Sequence, residues 1–174
     1  FIGCKVSGKL IENGYSVVGI DNMNDYYDPK LKEWRLKQLK VKSEELRVKT
    51  PNFNFYQCDI GDFKAVKAVF ANHKIDAVIN LAARAGVRAS VEDPWIYLDT
   101  NVKGTLNLLE CCKNFDTKKF VLASTSSIYG LNAMPFKETD NTDRPLAPYS
   151  ATKKGAEAIC HSYHYLSGID ISIP

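Results

Sequence analysis

Apolar positions along this chain alternate between short continuous runs and longer stretches where they recur at helical spacing. Tyr15 to Ile20, Asn54 to Gln57, Asp76 to Leu81, Lys119 to Ala123 and Ile169 to Ile173 read as strands. Between them, Gly3 to Asn13, Leu31 to about Val48, Phe63 to Asn72, Ile96 to Asn114 and Tyr149 to Leu166 read as helices. Gly14 and Gly168 are placed to close the first and last of these. Asp76 to Leu81, with Ala77-Val78-Ile79 at its centre, predicts a buried strand, and Lys119 to Ala123 a second. Residues 125–148, with Pro135, Pro145 and Pro148, read as loop. The alternation predicts an α/β fold: a doubly wound parallel sheet covered by helices, as one domain over residues 1–174.

Ligands of such sheets sit at the carboxyl ends of the strands, and Asp21, Asp59, Ala82-Ala83 and Thr125 follow those ends. Asp21 stands where a dinucleotide fold keeps its ribose-binding acid; a carboxylate there accepts from the 2′- and 3′-hydroxyls and repels a 2′-phosphate. Asp59 suits either an adenine-ribose contact or a turn. Phe1-Ile2-Gly3 fits the tail of a glycine-rich phosphate loop, with Gly3 allowing close packing.

The chemistry concentrates between Ser124 and Lys153. Tyr149 and Lys153, four apart on a predicted helix, share a face. An ammonium beside a phenol favours the phenolate, the form useful as a general base. Thr125, at the end of the preceding apolar run, can hydrogen-bond the same substrate oxygen. Tyr26 and Lys30 share the spacing, but Pro29 between them argues against one helical face.

Composition narrows the class. The 174 residues, 45% hydrophobic and 25% charged, suit a globular domain able to bury a core. No apolar run reaches the roughly 20 residues of a membrane span, so no membrane segment is expected in this chain. The net charge of +3 is too small to imply nucleic acid. A basic segment from Lys30 to Lys49, including Arg47 and interrupted by Glu33, Glu44 and Glu45, reads as a solvated helix carrying ion pairs. Five cysteines (Cys4, Cys58, Cys111, Cys112, Cys160), without metal-ligand spacing, read as reduced, mostly buried thiols of a cytoplasmic protein. His161 and His164 lack a third ligand, so no metal is expected. Trp34 and Trp95 read as packing residues. Asn101 reads either as a brace near the catalytic helix or as a surface amide.

Together these residues resemble the extended short-chain dehydrogenase/reductases, specifically the NAD-dependent nucleotide-sugar epimerases, and look most like the UDP-glucuronate 4-epimerases. The matching segments are Phe1-Ile2-Gly3, Gly19-Ile20-Asp21-Asn22, Asn24-Asp25-Tyr26-Tyr27-Asp28, Cys58-Asp59-Ile60, Leu81-Ala82-Ala83, Ala85-Gly86-Val87-Arg88, Asn101 to Thr105, Ser124 to Asn132, and Tyr149 to Lys154. The resemblance implies a Rossmann fold holding NAD through Gly3, Asp21, Asn22, Asp59, Ile60, Leu81, Ala82, Ala83, Tyr149 and Lys153. It implies a UDP-sugar substrate epimerised at C4 through a transient 4-keto sugar. Tyr149 would deprotonate the C4 hydroxyl, Lys153 would lower its pKa and bind the nicotinamide ribose, and Thr125 would bond the C4 oxygen. Arg88, Ser126 and Ser127 would contact substrate, and a homodimer through the helices at about 96–114 and 149–166 is expected. Sugar dehydratases typically carry acids just after the threonine, and decarboxylating relatives a glutamate two positions on. Ser126 and Ser127 stand there instead, which favours epimerisation.

The chain departs from the family's pattern at Cys4-Lys5, Asn80 and Arg84. Against the strand order 3-2-1-4-5-6 it lacks the first, central strand and the part beyond Pro174. We therefore expect a fold truncated at both ends, a fragment whose function belongs to its parent, with the strands at 15–20 and 76–81 left unpaired on one side. The alternatives to UDP-glucuronate epimerisation are a neutral UDP-sugar 4-epimerase, a decarboxylase or dehydratase, or a non-catalytic NAD- or nucleotide-binding module.

Overall fold

The computed structural model describes residues 1–45 and 53–174. These fall into two compact units, Phe1–Asp59 and Ile60–Pro174, each with its own parallel sheet. The predicted end of the second helix, to about Val48, and the basic residues Arg47 and Lys49 lie outside the described residues.

In the first unit, α1 (Ile2–Glu12) ends at Asn13 and Gly14, the latter at φ +82°, a conformation that glycine adopts without steric cost. β1 (Val17–Asp21) pairs in parallel with β2 (Phe53–Gln57), Val17 opposite Phe53 and Asp21 opposite Gln57. α2 (Pro29–Glu45) connects them; Asp28 Oδ1 accepts from Lys30 N at 2.9 Å at its start, with Pro29 in the first turn. Ile11, Val17, Leu39 and Phe53 form the core, with Leu10, Leu36 and Phe55 packed around them.

In the second unit, β3 (Ala77–Asn80), β4 (Lys119–Leu122) and β5 (Asp170–Ser172) form a parallel sheet in the order β3-β4-β5. α3 (Phe63–Asn72) has the predicted bounds, and Asp62 accepts from Lys64 N and Ala65 N at its start. α4 (Ala89–Glu92) and α5 (Pro94–Tyr97) lead through a π turn (Leu98–Lys103) into α6 (Gly104–Asn114). A 3-10 turn (Ser126–Tyr129) follows β4. α7 (Pro148–Ser167) starts with Pro148 and a Ser150 Oγ bond to Ala147 N, and ends at Gly168 with φ +64°. Leu109, Cys111, Cys112, Phe120, Leu122 and Cys160 are sealed in the core; burying one leucine or phenylalanine contributes about 1.5–3 kcal/mol.

The pairings β2–β1 and β3–β4–β5 are those of positions 3-2 and 4-5-6 in the dinucleotide order. As expected, β1 and β3 each keep an edge that no described strand covers. That edge corrects one expectation. Ala77 and Ile79 are exposed and only Val78 is half-buried, so β3 is not a buried strand. An apolar triplet announces a strand but not the layer that covers it.

Three further expectations change. The long helix predicted from Ile96 starts at Pro94 and contains the π turn. The basic α2 is not simply solvated: Lys32 is buried, and the ion pairs made from this helix run to Asp21 on β1 and Glu12 on α1 rather than along the helix. Trp34 and Trp95 are exposed, not packed, because both lie on outward helix positions. Of the five cysteines, Cys111, Cys112 and Cys160 are buried and Cys4 and Cys58 half-buried, in keeping with the mostly buried thiols expected.

Candidate functional site

β4 delivers its polar residues to α7. After Leu122, Ala123 turns its carbonyl to Lys153, whose Nζ donates to it at 2.6 Å. Two residues on, Thr125 is extended and its Oγ1 accepts from Ser127 N at 3.2 Å, which starts the 3-10 turn. Ser126 is exposed there and Ser127 half-buried. Tyr149 occupies the first turn of α7, its ring edge-on to Tyr97 with centroids 6.1 Å apart. Thr125, Tyr149 and Lys153 are therefore carried by two elements tied to each other through the Lys153–Ala123 bond.

Lys153 is 4% exposed. Burial pulls its pKa below the ordinary lysine value, and the nearby Glu157 and Cys160 oppose that fall. An ammonium has three donors, and one is spent on the Ala123 carbonyl.

A buried polar frame stands behind these residues. Asn101, in the π turn, donates to Arg84 O and Thr152 Oγ1, both at 3.1 Å, and accepts from Arg84 N at 2.8 Å. It is the brace, not the surface amide. Thr105 Oγ1 donates to Asn101 O at 2.7 Å and accepts from Asn80 Nδ2 at 3.1 Å, and Asn80 Oδ1 accepts from Ala82 N. Tyr97 Oη donates to Ala85 O at 2.8 Å. Asn80 and Arg84, departures from the family pattern, thus belong to the frame that shapes the Leu81-Ala82-Ala83 segment. Asn101 and Thr105 stand four apart on one helix, a spacing that was legible in the sequence.

Ile60 is buried, with its carbonyl accepting from Asn107 Nδ2 at 2.8 Å. A Cβ on Gly104 would come within 2.5 Å of Ile60 Cδ1, so glycine is needed there for the close approach. Arg88 is exposed at the start of α4, and among the described residues no hydrogen bond brings it to Thr125, Ser126 or Ser127.

In the first unit, Asp21 is the last residue of β1, paired with Gln57, and Asp59 follows the end of β2. Asn22 Nδ2 donates to Asp59 Oδ2 at 2.7 Å, which joins the two strand ends. Asp21 Oδ1 accepts from Met23 N at 2.7 Å and Lys32 Nζ at 3.3 Å. Its Oδ2 carries no hydrogen bond among the described residues, and the side chain is 49% exposed; such a carboxylate oxygen suits a ribose diol. Gly3 lies in the first turn of α1. Sequence reasoning missed Lys32, which read as one basic residue among many.

A family model described as GDP-mannose 4,6 dehydratase matches residues 1–173. The chain belongs to this family. Within it, the chain is 55% identical over 173 residues to a UDP-glucuronate 4-epimerase of Thermodesulfobacterium geofontis, covering 99% of this chain and 51% of that protein. It is 39% identical to UDP-glucuronate 4-epimerase 4 of Arabidopsis thaliana, covering 99% of this chain and 38% of that one. Among solved structures, the UDP-glucuronic acid 4-epimerase of Bacillus cereus, in complex with UDP-glucuronic acid and NAD, matches with a TM-score of 0.84 at 34% identity. That match covers 99% of this chain and 52% of the other. The chain thus spans about half the length or less of these relatives. The α/β Rossmann-type fold read from the alternation of elements is the fold of this family's epimerases. No helix among the described residues is long and apolar enough to cross a membrane.

Proposed function

We propose that the protein carrying this chain is an NAD-dependent 4-epimerase that interconverts UDP-glucuronate and UDP-galacturonate. The observation that supports the reading is that Lys153, four residues after Tyr149 on α7, bonds the Ala123 carbonyl two residues before Thr125, with two serines rather than acids following the threonine. The 55% identity to a UDP-glucuronate 4-epimerase supports this choice of sugar.

NAD, when bound, supplies reversible acceptance of a hydride. Asp21 has a carboxylate oxygen for the adenosine ribose, with Asn22, Asp59, Gly3 and Ile60 assigned to the same half of the cofactor. Leu81, Ala82 and Ala83 are assigned to the cofactor as well, and Lys153 has donors left for the nicotinamide ribose. Within each unit, these donors and acceptors suit the group. Tyr149 takes the proton of the C4 hydroxyl in one direction and returns it in the other. Thr125 bonds the C4 oxygen throughout, and Lys153 holds positive charge beside the phenolate. The 4-keto sugar then needs only to present its other face. Ser126 and Ser127 bind the sugar and Arg88 its carboxylate. No further acid is required, in keeping with the serines after Thr125.

On this reading, residues 1–174 form one NAD-binding domain and the protein works as a cytoplasmic homodimer through its helices 96–114 and 149–166, without nucleic acid or metal. Incubating UDP-glucuronate with the protein and reading the sugars by proton NMR tests the reaction: UDP-galacturonate is expected, and UDP-xylose or a dehydrated sugar would overturn it. Tyr149→Phe is expected to lower turnover at least about a thousandfold while calorimetry shows NAD still bound. Unchanged turnover would remove Tyr149 from the mechanism.

A further inference from the structure

Two side chains tie α7 to the end of β4. One is Lys153, through the Ala123 carbonyl. The other is Glu157, whose Oε1 accepts the hydroxyl of Ser124 and whose Oε2 takes Lys154 Nζ at 3.3 Å. Ala123 and Ser124 are the two residues leading into Thr125. The Glu157 side chain is 14% exposed, and both of its oxygens are engaged. A tie between Ser124 and a helix needs only a neutral acceptor, and burying a charge is the costlier way to provide one. The charge also stands four residues from Lys153, the spacing at which two helical side chains meet.

We propose that Glu157 is a positioning residue of the site: its carboxylate fixes Ser124, and so the adjoining Thr125, against α7, and its charge stabilises the buried Lys153 ammonium. This rests on the reading of Thr125, Tyr149 and Lys153 given above. The ionisable groups that act on Lys153 are Glu157 and Cys160, both on α7. On the same helix Tyr149 and Lys154 stand within four residues of it, Tyr97 on α5 lies against Tyr149, and Cys112 on α6 interacts with Cys160. Glu157 is the carboxylate that acts on it. Burial pushes the Cys160 thiol up to about 11, so Cys160 is neutral at physiological pH and the support for the ammonium comes from Glu157.

Two variants separate the parts of the proposal. Glu157→Gln keeps an acceptor for Ser124 and removes the charge; Ser124→Ala removes the tie and keeps the charge. Losing a neighbouring negative charge disfavours an ammonium, so Lys153 in E157Q loses its proton at lower pH. Titration of the Lys153 Nζ by NMR of the ¹⁵N-lysine-labelled protein is expected to show a midpoint about one pH unit lower in E157Q. The alkaline limb of turnover against pH is expected to move the same way. S124A is expected to leave the Lys153 midpoint in place and lower kcat about tenfold with KM unchanged, the loss of a transition-state contact. An unmoved midpoint in folded E157Q overturns the proposal. Where E157Q does not fold, S124A decides, and wild-type kcat in it is the overturning result. A wild-type protein without turnover would defeat the epimerase reading instead, and the Lys153 midpoint would still judge Glu157.

Discussion

Two lysines among the described residues, Lys32 and Lys153, are buried beside strand ends, and their surroundings differ in kind. Lys32, on α2, lies 3.3 Å from the Asp21 carboxylate, 3.0 Å from Asn24 Oδ1 and 5.2 Å from the centroid of the Tyr27 ring. Lys153, on α7, donates to a neutral backbone carbonyl, and its carboxylate neighbour Glu157 stands a helical turn away. The first ammonium is consumed: Asp21, Asn24 and Tyr27 all belong to the strand end and the connection that Lys32 gathers. The second has donors left over, and burial lowers its pKa. Burial alone does not decide what a lysine can do; the partner set does.

The largest effect should come from Lys153→Met, which fills the same space without charge. Turnover is expected to fall at least about a hundredfold while the folded spectrum is retained, and steady-state kinetics with circular dichroism check both. Surviving turnover would break the contrast, because Lys153 would then be structural as Lys32 is. Lys32→Met should do the reverse. Loss of its two hydrogen bonds, with Asp21 half exposed and able to recover water, is expected to cost about 1–2 kcal/mol in urea unfolding. Its kcat at saturating NAD should stay within about twofold of wild type, taking a factor of two as about 0.4 kcal/mol.

The smallest effect tests how rigid the surroundings of Lys153 are. Burial raises the thiols of Cys111, Cys112 and Cys160 to about 11, 12 and 11. A raised thiol pKa keeps the unreactive form well above neutral pH, and thiolate appears only as pH approaches those values. At pH 8, Ellman's reagent is therefore expected to label Cys4 and Cys58 in the native protein and the other three only after denaturation. Labelling of Cys160 in the native state would mean that the core beside Lys153 opens, and that the bond Lys153 gives the Ala123 carbonyl is an average over several arrangements.

Much of this was legible in the sequence where the information is local. The bounds of α3, the stops at Gly14 and Gly168, and the Tyr149–Lys153 face all follow from periodicity and backbone preference, which neighbours in the chain decide. The exposure of Ile79 was not legible, because coverage of an edge depends on what the rest of the fold brings there. Lys32 escaped notice for a similar reason. Its burial is set by Asp21, Asn24 and Tyr27 folding back over α2, and a run of basic residues reads as solvated unless that connection is known. Glu157 was visible as a carboxylate four residues past Lys153, but only the Ser124 bond gives that spacing a meaning.

The π turn at Leu98–Lys103 has a consequence of a different sort. A regular helix advances about 100° per residue, and a π turn accommodates one residue more than that regular winding would. With it, Tyr97 and Asn101 reach Ala85 and Arg84 while Leu108, Leu109 and Cys112 still turn inward. Removing one residue between 98 and 103 would let the ordinary winding return with Tyr97 and the core face of α6 still in line, and what would be lost is the widened turn in which Asn101 sits. The extra residue is a local insertion that the helix absorbs on the spot.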